Sequence, residues 1–193
     1  MYAAIDDPYC YPGTKILKNK LGLRSQRELD AFEAEMSFER SADSLPSGRL
    51  SYSHYRAIHR HLFQDVYGWA GKLRTIRISK RESTFCYPEH IHQEMAKLFK
   101  ALRRAKHLKN TTPEVFAKQA AHFLAELNAI HPFREGNGRT QLTFLTLLAE
   151  TSGHPLVLKR MNPDRIMQAV ITSFGGEEDP LARMILELVD RRK

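Results

Sequence analysis

Cysteine is scarce in this chain. Cys10 and Cys86 are the two, far apart and outside any C-x-x-C or Cys/His spacing, which excludes a disulfide framework and gives no support to a zinc site. Long apolar runs are missing too: no stretch approaches the roughly 18 uninterrupted apolar residues that a membrane span needs. The opening "MYAAIDDPYC" lacks the basic-then-apolar order of a secretory leader, so the expectation is a cytoplasmic protein with no membrane partner, or a secreted effector if the chain is a fragment of a longer one. No internal repeat or low-complexity tract is present, which excludes solenoids and linker arrays. Acidic residues are outnumbered, 22 against 30 basic, leaving a net charge of +8. The basic residues spread over Lys15 to Arg27, Arg74 to Arg81 and Lys97 to Lys109. Such an excess attracts nucleotides, acidic proteins or nucleic acid without choosing among them.

What is present is a helical pattern. A chain of 193 residues, 42% of them apolar, suits one domain over 1–193 with one core. Residues 14–42 read as helical, broken at Gly22 and resuming after Ser25 as an N-cap. From Tyr52 the residues Tyr55, Ile58, Leu62, Phe63, Val66 and Trp69 recur at spacings of three and four, a buried helical stripe. The period then changes. "KLRTIRIS" alternates, "STFCY" follows "KRE", and 73–87 is predicted as a two-stranded hairpin leaning on helices. Helices are predicted for 90–107, 113–130, up to Gly153, 163–173 and 180–191. The fold class is all-α with one small β-hairpin.

The helix-loop-helix over about 113–152 carries the chemistry. Its loop reads "HPFREGNGR", His131 to Arg139. Gly136 and Gly138 allow successive backbone N–H groups to face one point where a helix begins, and such a nest favours an anion. Asn137 lies between them, and Arg139 adds a planar donor fork for phosphate oxygens. Glu135 beside an anion site would repel phosphate unless a divalent cation joined them; Mg²⁺ held by one carboxylate and phosphate oxygens is the usual arrangement. His131, at the end of the preceding helix, could take a proton from an attacking hydroxyl at neutral pH. Phe133, apolar among polar residues, is read as the anchor of the loop. Each piece alone is commonly structural, but together they form a kit for phosphate chemistry.

His131-Pro132-Phe133-Arg134-Glu135-Gly136-Asn137-Gly138-Arg139 resembles the signature of the Fic (Fic/Doc, or Fido) family up to its first arginine. "YCYPGTKILKNKLGL" and "HYRAIHRHLFQDVYGWAGKLR" are similar to the N-terminal and helix-to-flap segments of bacterial Fic toxins and effector Fic domains. The resemblance implies a single Fic-type helical domain and protein adenylylation, the transfer of AMP from ATP to a Ser, Thr or Tyr hydroxyl with release of pyrophosphate. It assigns His131 as base and Glu135 as Mg²⁺ ligand, with ATP as co-substrate. Gly136, Asn137 and Gly138 become the anion hole, and Arg139 steadies the β-phosphate. The flap would pin the target by strand addition through Thr75, Ile76, Arg77, Ile78, Thr84 and Phe85.

One position departs from that pattern. Leu142 stands where the family normally has a second arginine, which binds γ-phosphate and pairs with an inhibitory glutamate. A weakened or altered activity is the expectation. No inhibitory helix is evident: the nearest match, Ser173 to Glu178, contains Gly175 and Gly176, which disfavour helix. The resemblance therefore implies a toxin restrained by a small separate antitoxin chain. Its implied targets are DNA gyrase or topoisomerase IV subunits, with host small GTPases as the alternative. Competing readings are a nucleic-acid-binding domain, disfavoured because the basic residues form no reading module, a silent scaffold, and a relative using another nucleotide or transferring phosphate.

Overall fold

A computed structural model describes residues 7–80 and 83–190. Seven α-helices and one two-stranded ribbon occur among them: α1 (Gln26–Ala42), α2 (Tyr52–Phe63), β1 (Ser79–Lys80), β2 (Ser83–Thr84), α3 (Pro88–Arg104), α4 (Pro113–Ile130), α5 (Asn137–Ser152), α6 (Pro163–Phe174) and α7 (Asp179–Leu188). The helices start where capping chemistry allows. Ser25 Oγ accepts from Glu28 N at 3.4 Å, Ser51 Oγ from His54 N at 3.2 Å, and Thr112 Oγ1 from Val115 N at 3.4 Å, each satisfying a donor that has no partner in the first turn. Pro88, Pro113 and Pro163 occupy first turns, where a missing N–H costs nothing.

Helix α4 is the centre, packed by α3, α5, α6 and α7, while α2 lies against both α1 and α5. Its predicted inner face, Phe116, Ala120, Phe123, Leu127 and Ile130, is buried throughout. Around it, Tyr55, Phe99, Phe123 and Phe144 meet edge to face or offset, the arrangements that ring quadrupoles favour. No helix among the described residues is long and apolar enough to cross a membrane.

Four expectations are corrected. Residues 14–24 are not helical: Cys10 bridges Leu17, and Asn19 bonds through its side chain to Leu17 O, Leu23 O and Leu23 N. An amide that offers the backbone local partners competes with the helix ladder. The ladder of the 73–87 hairpin shrinks to its tip, with Ser79 opposite Thr84 and Lys80 opposite Ser83; Arg81 and Glu82 lie outside the described residues. Phe85 N still reaches across to Ile78 O at 3.3 Å, but beyond it the arms bond elsewhere, Arg74 N to Pro132 O at 2.9 Å and Cys86 N to Ala129 O at 3.0 Å, so residues at and just past the end of α4 replace the outer cross-strand partners. Helix α3 stops at Arg104 because Lys106, His107 and Leu108 all take positive φ. Helix α7 ends at Leu188, short of the expected 191, a residue also outside the described set.

Candidate active site

The predicted loop is built by two left-handed residues. His131 (φ 48, ψ 64) caps α4, its N–H bonded to Leu127 O at 3.0 Å. Gly136 (φ 80) caps the start of α5. The chain thus leaves one helix and enters the next within a short turn, and His131 and Gly138 line the same cavity of about 200 Å³.

The two glycines serve different ends. A Cβ on Gly136 would stand 2.4 Å from the Phe63 ring, whereas one on Gly138 would meet nothing within 4 Å. Gly136 lets α5 close on α2; exposed Gly138 leaves room for a ligand to approach the backbone. The α5 ladder begins with Thr140 N to Gly136 O at 3.1 Å, so the N–H groups of Asn137, Gly138 and Arg139 precede it and form an anion-seeking end. The Asn137 side chain is not part of that end. Its Oδ1 accepts from Phe133 N at 3.0 Å and its Nδ2 donates to Phe133 O at 2.8 Å, bracing the loop, so only its backbone can face an anion.

Phe133 is fully buried, stacked on His59 at 3.7 Å and on Tyr55 at 5.6 Å between centroids. Glu135 is half-buried, and its Oε1 accepts from Gly136 N at 2.9 Å. Burial raises its pKa above the ordinary glutamate value, the neighbouring Glu33 adds to the rise, and the Gly136 N–H and the charges of Arg139 and Arg134 oppose it. A group of three or more His, Cys, Asp or Glu side chains fit to hold a metal by themselves does not occur among the described residues. A lone carboxylate next to an anion-binding backbone fits a cation that arrives on phosphate oxygens.

Arg139 lies at the first turn of α5 but reaches to α1, where it pairs with Glu33 and donates through Nη1 to Ser37 Oγ at 2.8 Å, its guanidinium 4.6 Å over the Phe63 ring. Leu142 is half-buried and faces the shared cavity with Leu145, Val170 and Ile171. At that point the cavity wall is apolar. On the flap, Thr75, Arg77 and Thr84 are exposed and Ile76 is half-buried, but Ile78 and Phe85 point inward. Phe85 stacks on the His131 ring at 4.0 Å, so it fixes the histidine from below the flap.

Three residues of the site escaped sequence reasoning. Arg74, 2% exposed, donates to the carbonyls of His131 (2.8 Å), Ile76 (2.6 Å), Cys86 (2.5 Å) and Ile130 (3.2 Å). His59 accepts from Gly71 N at 2.8 Å, which leaves Nε2–H to donate to Glu135 O at 2.9 Å; burial pushes its pKa down to about 3, so it is a neutral brace. Arg134 directs Nε and Nη2 onto Asp7 Oδ2, at 2.7 and 2.6 Å, and ties the N-terminal segment to the loop. The alternation of "KLRTIRIS" concealed Arg74 as a strand residue, and no local pattern marks partners so distant in sequence.

A helical domain with a histidine-capped helix entering a glycine-opened one defines the class. The model of the Fic/DOC family matches residues 49–149. A probable protein adenylyltransferase (y4lH) of Sinorhizobium fredii is 51% identical over 189 residues, covering 97% of this chain and 98% of the relative. A probable protein adenylyltransferase (Fic) of Escherichia coli is 37% identical over 185 residues, covering 95% and 92%. Among solved structures, the BepC effector of Bartonella tribocorum with bound AMPPNP superposes with a TM-score of 0.86 at 25% identity, covering 96% of this chain and 97% of that one. The chain belongs to the Fic/DOC family.

Proposed function

We propose that this protein is an adenylyltransferase that moves AMP from ATP to a side-chain hydroxyl of another protein and releases pyrophosphate. The observation that carries the reading is the shared cavity in which His131 and Gly138, at the open end of α5, face one space. His131 Nδ1 is buried, so the hydroxyl proton is accepted at Nε2 as the oxygen attacks the α-phosphorus. The backbone N–H groups of Asn137, Gly138 and Arg139 bind the phosphate oxygens, and Gly138 lets them come close. Glu135 would hold Mg²⁺, which when bound neutralises phosphate charge and polarises the bond to the leaving group. Phe85 and the Arg74 bond to His131 O keep the imidazole oriented.

ATP labelled at the α or the γ position tests the reading in lysate with Mg²⁺. Label from the α position that requires His131 supports AMP transfer. Label from γ means a kinase, and none means a scaffold or an enzyme that uses a different nucleotide. Identifying the labelled protein tests the target: a gyrase or topoisomerase IV subunit is proposed, in the cytoplasm where the chain is made, and a labelled host small GTPase would overturn that choice. The exposed flap edge around Thr75, Arg77 and Thr84 is the proposed docking strand. Helix α6 ends at Phe174 with Gly175 as its cap, so no helix runs across 175–178 to carry an internal inhibitory glutamate. An antitoxin chain is the proposed regulator, an idea defeated by full activity in its complex.

Two predictions belong to this site. Replacing Leu142 with arginine is expected to tighten ATP binding or raise transfer by roughly tenfold to a hundredfold, the worth of one charge-assisted phosphate contact. The long stem can lie along the cavity wall with its head in water; unchanged ATP affinity in a folded variant removes this role from position 142. The second concerns pH. Because burial raises the Glu135 pKa, its ionised form is lost at a higher pH than that of a surface glutamate. Mg²⁺-dependent nucleotide binding should therefore weaken on acidification before ordinary glutamates titrate, and Glu135→Gln should abolish that limb. The same shift makes this group favour the fold as pH falls through the raised value, so a loss of binding without unfolding separates the two effects.

A further inference from the structure

Helix α1 places Leu29, Glu33 and Ser37 in one row, at intervals of four. Leu29 and Ser37 are buried and the Glu33 side chain is 13% exposed. A carboxylate in such a row is costly unless it is paired and hydrogen-bonded. Glu33 is both. Its Oε1 takes Nη2 of Arg139, its Oε2 takes the Tyr67 hydroxyl, and Ser37 Oγ takes Nη1 of the same arginine at 2.8 Å. The Phe63 ring closes one face of the guanidinium at 4.6 Å. Both Nη groups are thus fixed by α1, and none of these contacts uses Nε.

We infer that Glu33, with Ser37 and Tyr67, is a positioning seat for Arg139, fixing its guanidinium beside the first turn of α5 with Nε left to meet a phosphate oxygen. This rests on the adenylyltransferase reading above. An unseated arginine would have a second carboxylate within range, because Arg139 and Glu135 already sense each other's charge. Pairing with Glu135 would draw the cation away from the phosphates and occupy the proposed metal ligand at once. Glu33 prevents this by giving the arginine a partner on α1. The geometry is also economical in entropy: a flexible side chain is fixed before the nucleotide arrives, so less freedom is lost on binding.

The test is a double-mutant cycle in the full chain, reading AMP transfer together with binding of a fluorescent ATP analogue. Glu33→Ala is expected to lower kcat/KM by roughly tenfold or more, the scale on which misplaced groups act. Arg139→Ala should lose at least as much, and the double variant should lose no more than Arg139→Ala alone. Glu33→Gln, which still accepts a hydrogen bond, should recover part of the loss. Losses that multiply, or a Glu33→Ala protein as active as wild type or more so, overturn the inference; higher activity would mean that Glu33 competes with phosphate. Thermal melting reports folding, and if Glu33→Ala does not fold, Ser37→Ala carries the same cycle with a smaller expected loss. A wild type that binds the analogue but transfers no AMP defeats the functional reading instead.

Discussion

Replacing His131 with asparagine is expected to lower AMP transfer by about 10²- to 10⁴-fold, the contribution of a positioned general base, while nucleotide binding and the melting temperature change little. Asparagine is chosen because position 131 has φ 48, a conformation it tolerates better than most residues. Alanine there would mix loss of the base with backbone strain. The environment supports a chemical role over a packing one. The ring is held by Phe85 and its backbone by Arg74, so both the nitrogen and the helix end are oriented before a hydroxyl arrives. Steady-state transfer to the target, with binding measured separately, decides it. Near wild-type transfer by the asparagine variant would remove His131 from the chemistry.

Replacing Arg74 with alanine is expected to destabilise the fold by about 3–5 kcal/mol, the scale of a disrupted buried charged network, and to abolish transfer. Each buried carbonyl deprived of its donor costs about 1–3 kcal/mol, and Arg74 serves four: two on the flap arms, Ile76 and Cys86, and two at the end of α4, Ile130 and His131. Against a total stability of about 5–15 kcal/mol for a domain, that loss removes a large share. Arg74→Lys should recover only part, because an ammonium cannot span the four acceptors that a planar fork reaches. Denaturant unfolding gives the energy. A midpoint equal to wild type in Arg74→Ala would show that the carbonyls find other partners.

The legible part of the molecule was the part governed by neighbours in the chain. Helix α4 ran from Pro113 to Ile130 as its cap, proline and apolar spacing required, and Gly153 ended α5 in a left-handed conformation. The loop between them also carried its own signature, since base, carboxylate, glycines and arginine lie in one short run. Extended segments were less legible. Alternation from Leu73 onward implied strands paired along their length, yet beyond Ile78 and Phe85 the outer arms bond at the end of α4, because a hydrogen-bonding partner far along the chain leaves no periodic trace. Asn19 similarly turned an expected helix into a looped segment through bonds that helix periodicity does not register.

By itself, then, the sequence determined a helical fold class, the position of the capped helices and the run from His131 to Arg139 to which the proposed chemistry is assigned, since each depends on side chains within a few residues of one another. Only the tertiary structure decided how they are held. It set Arg139 against Glu33 on α1, Arg134 against Asp7, His59 beneath Glu135 and Phe85 against His131. Those pairs join residues far apart in the chain, and their energies come from burial and orientation that exist only once the helices have packed.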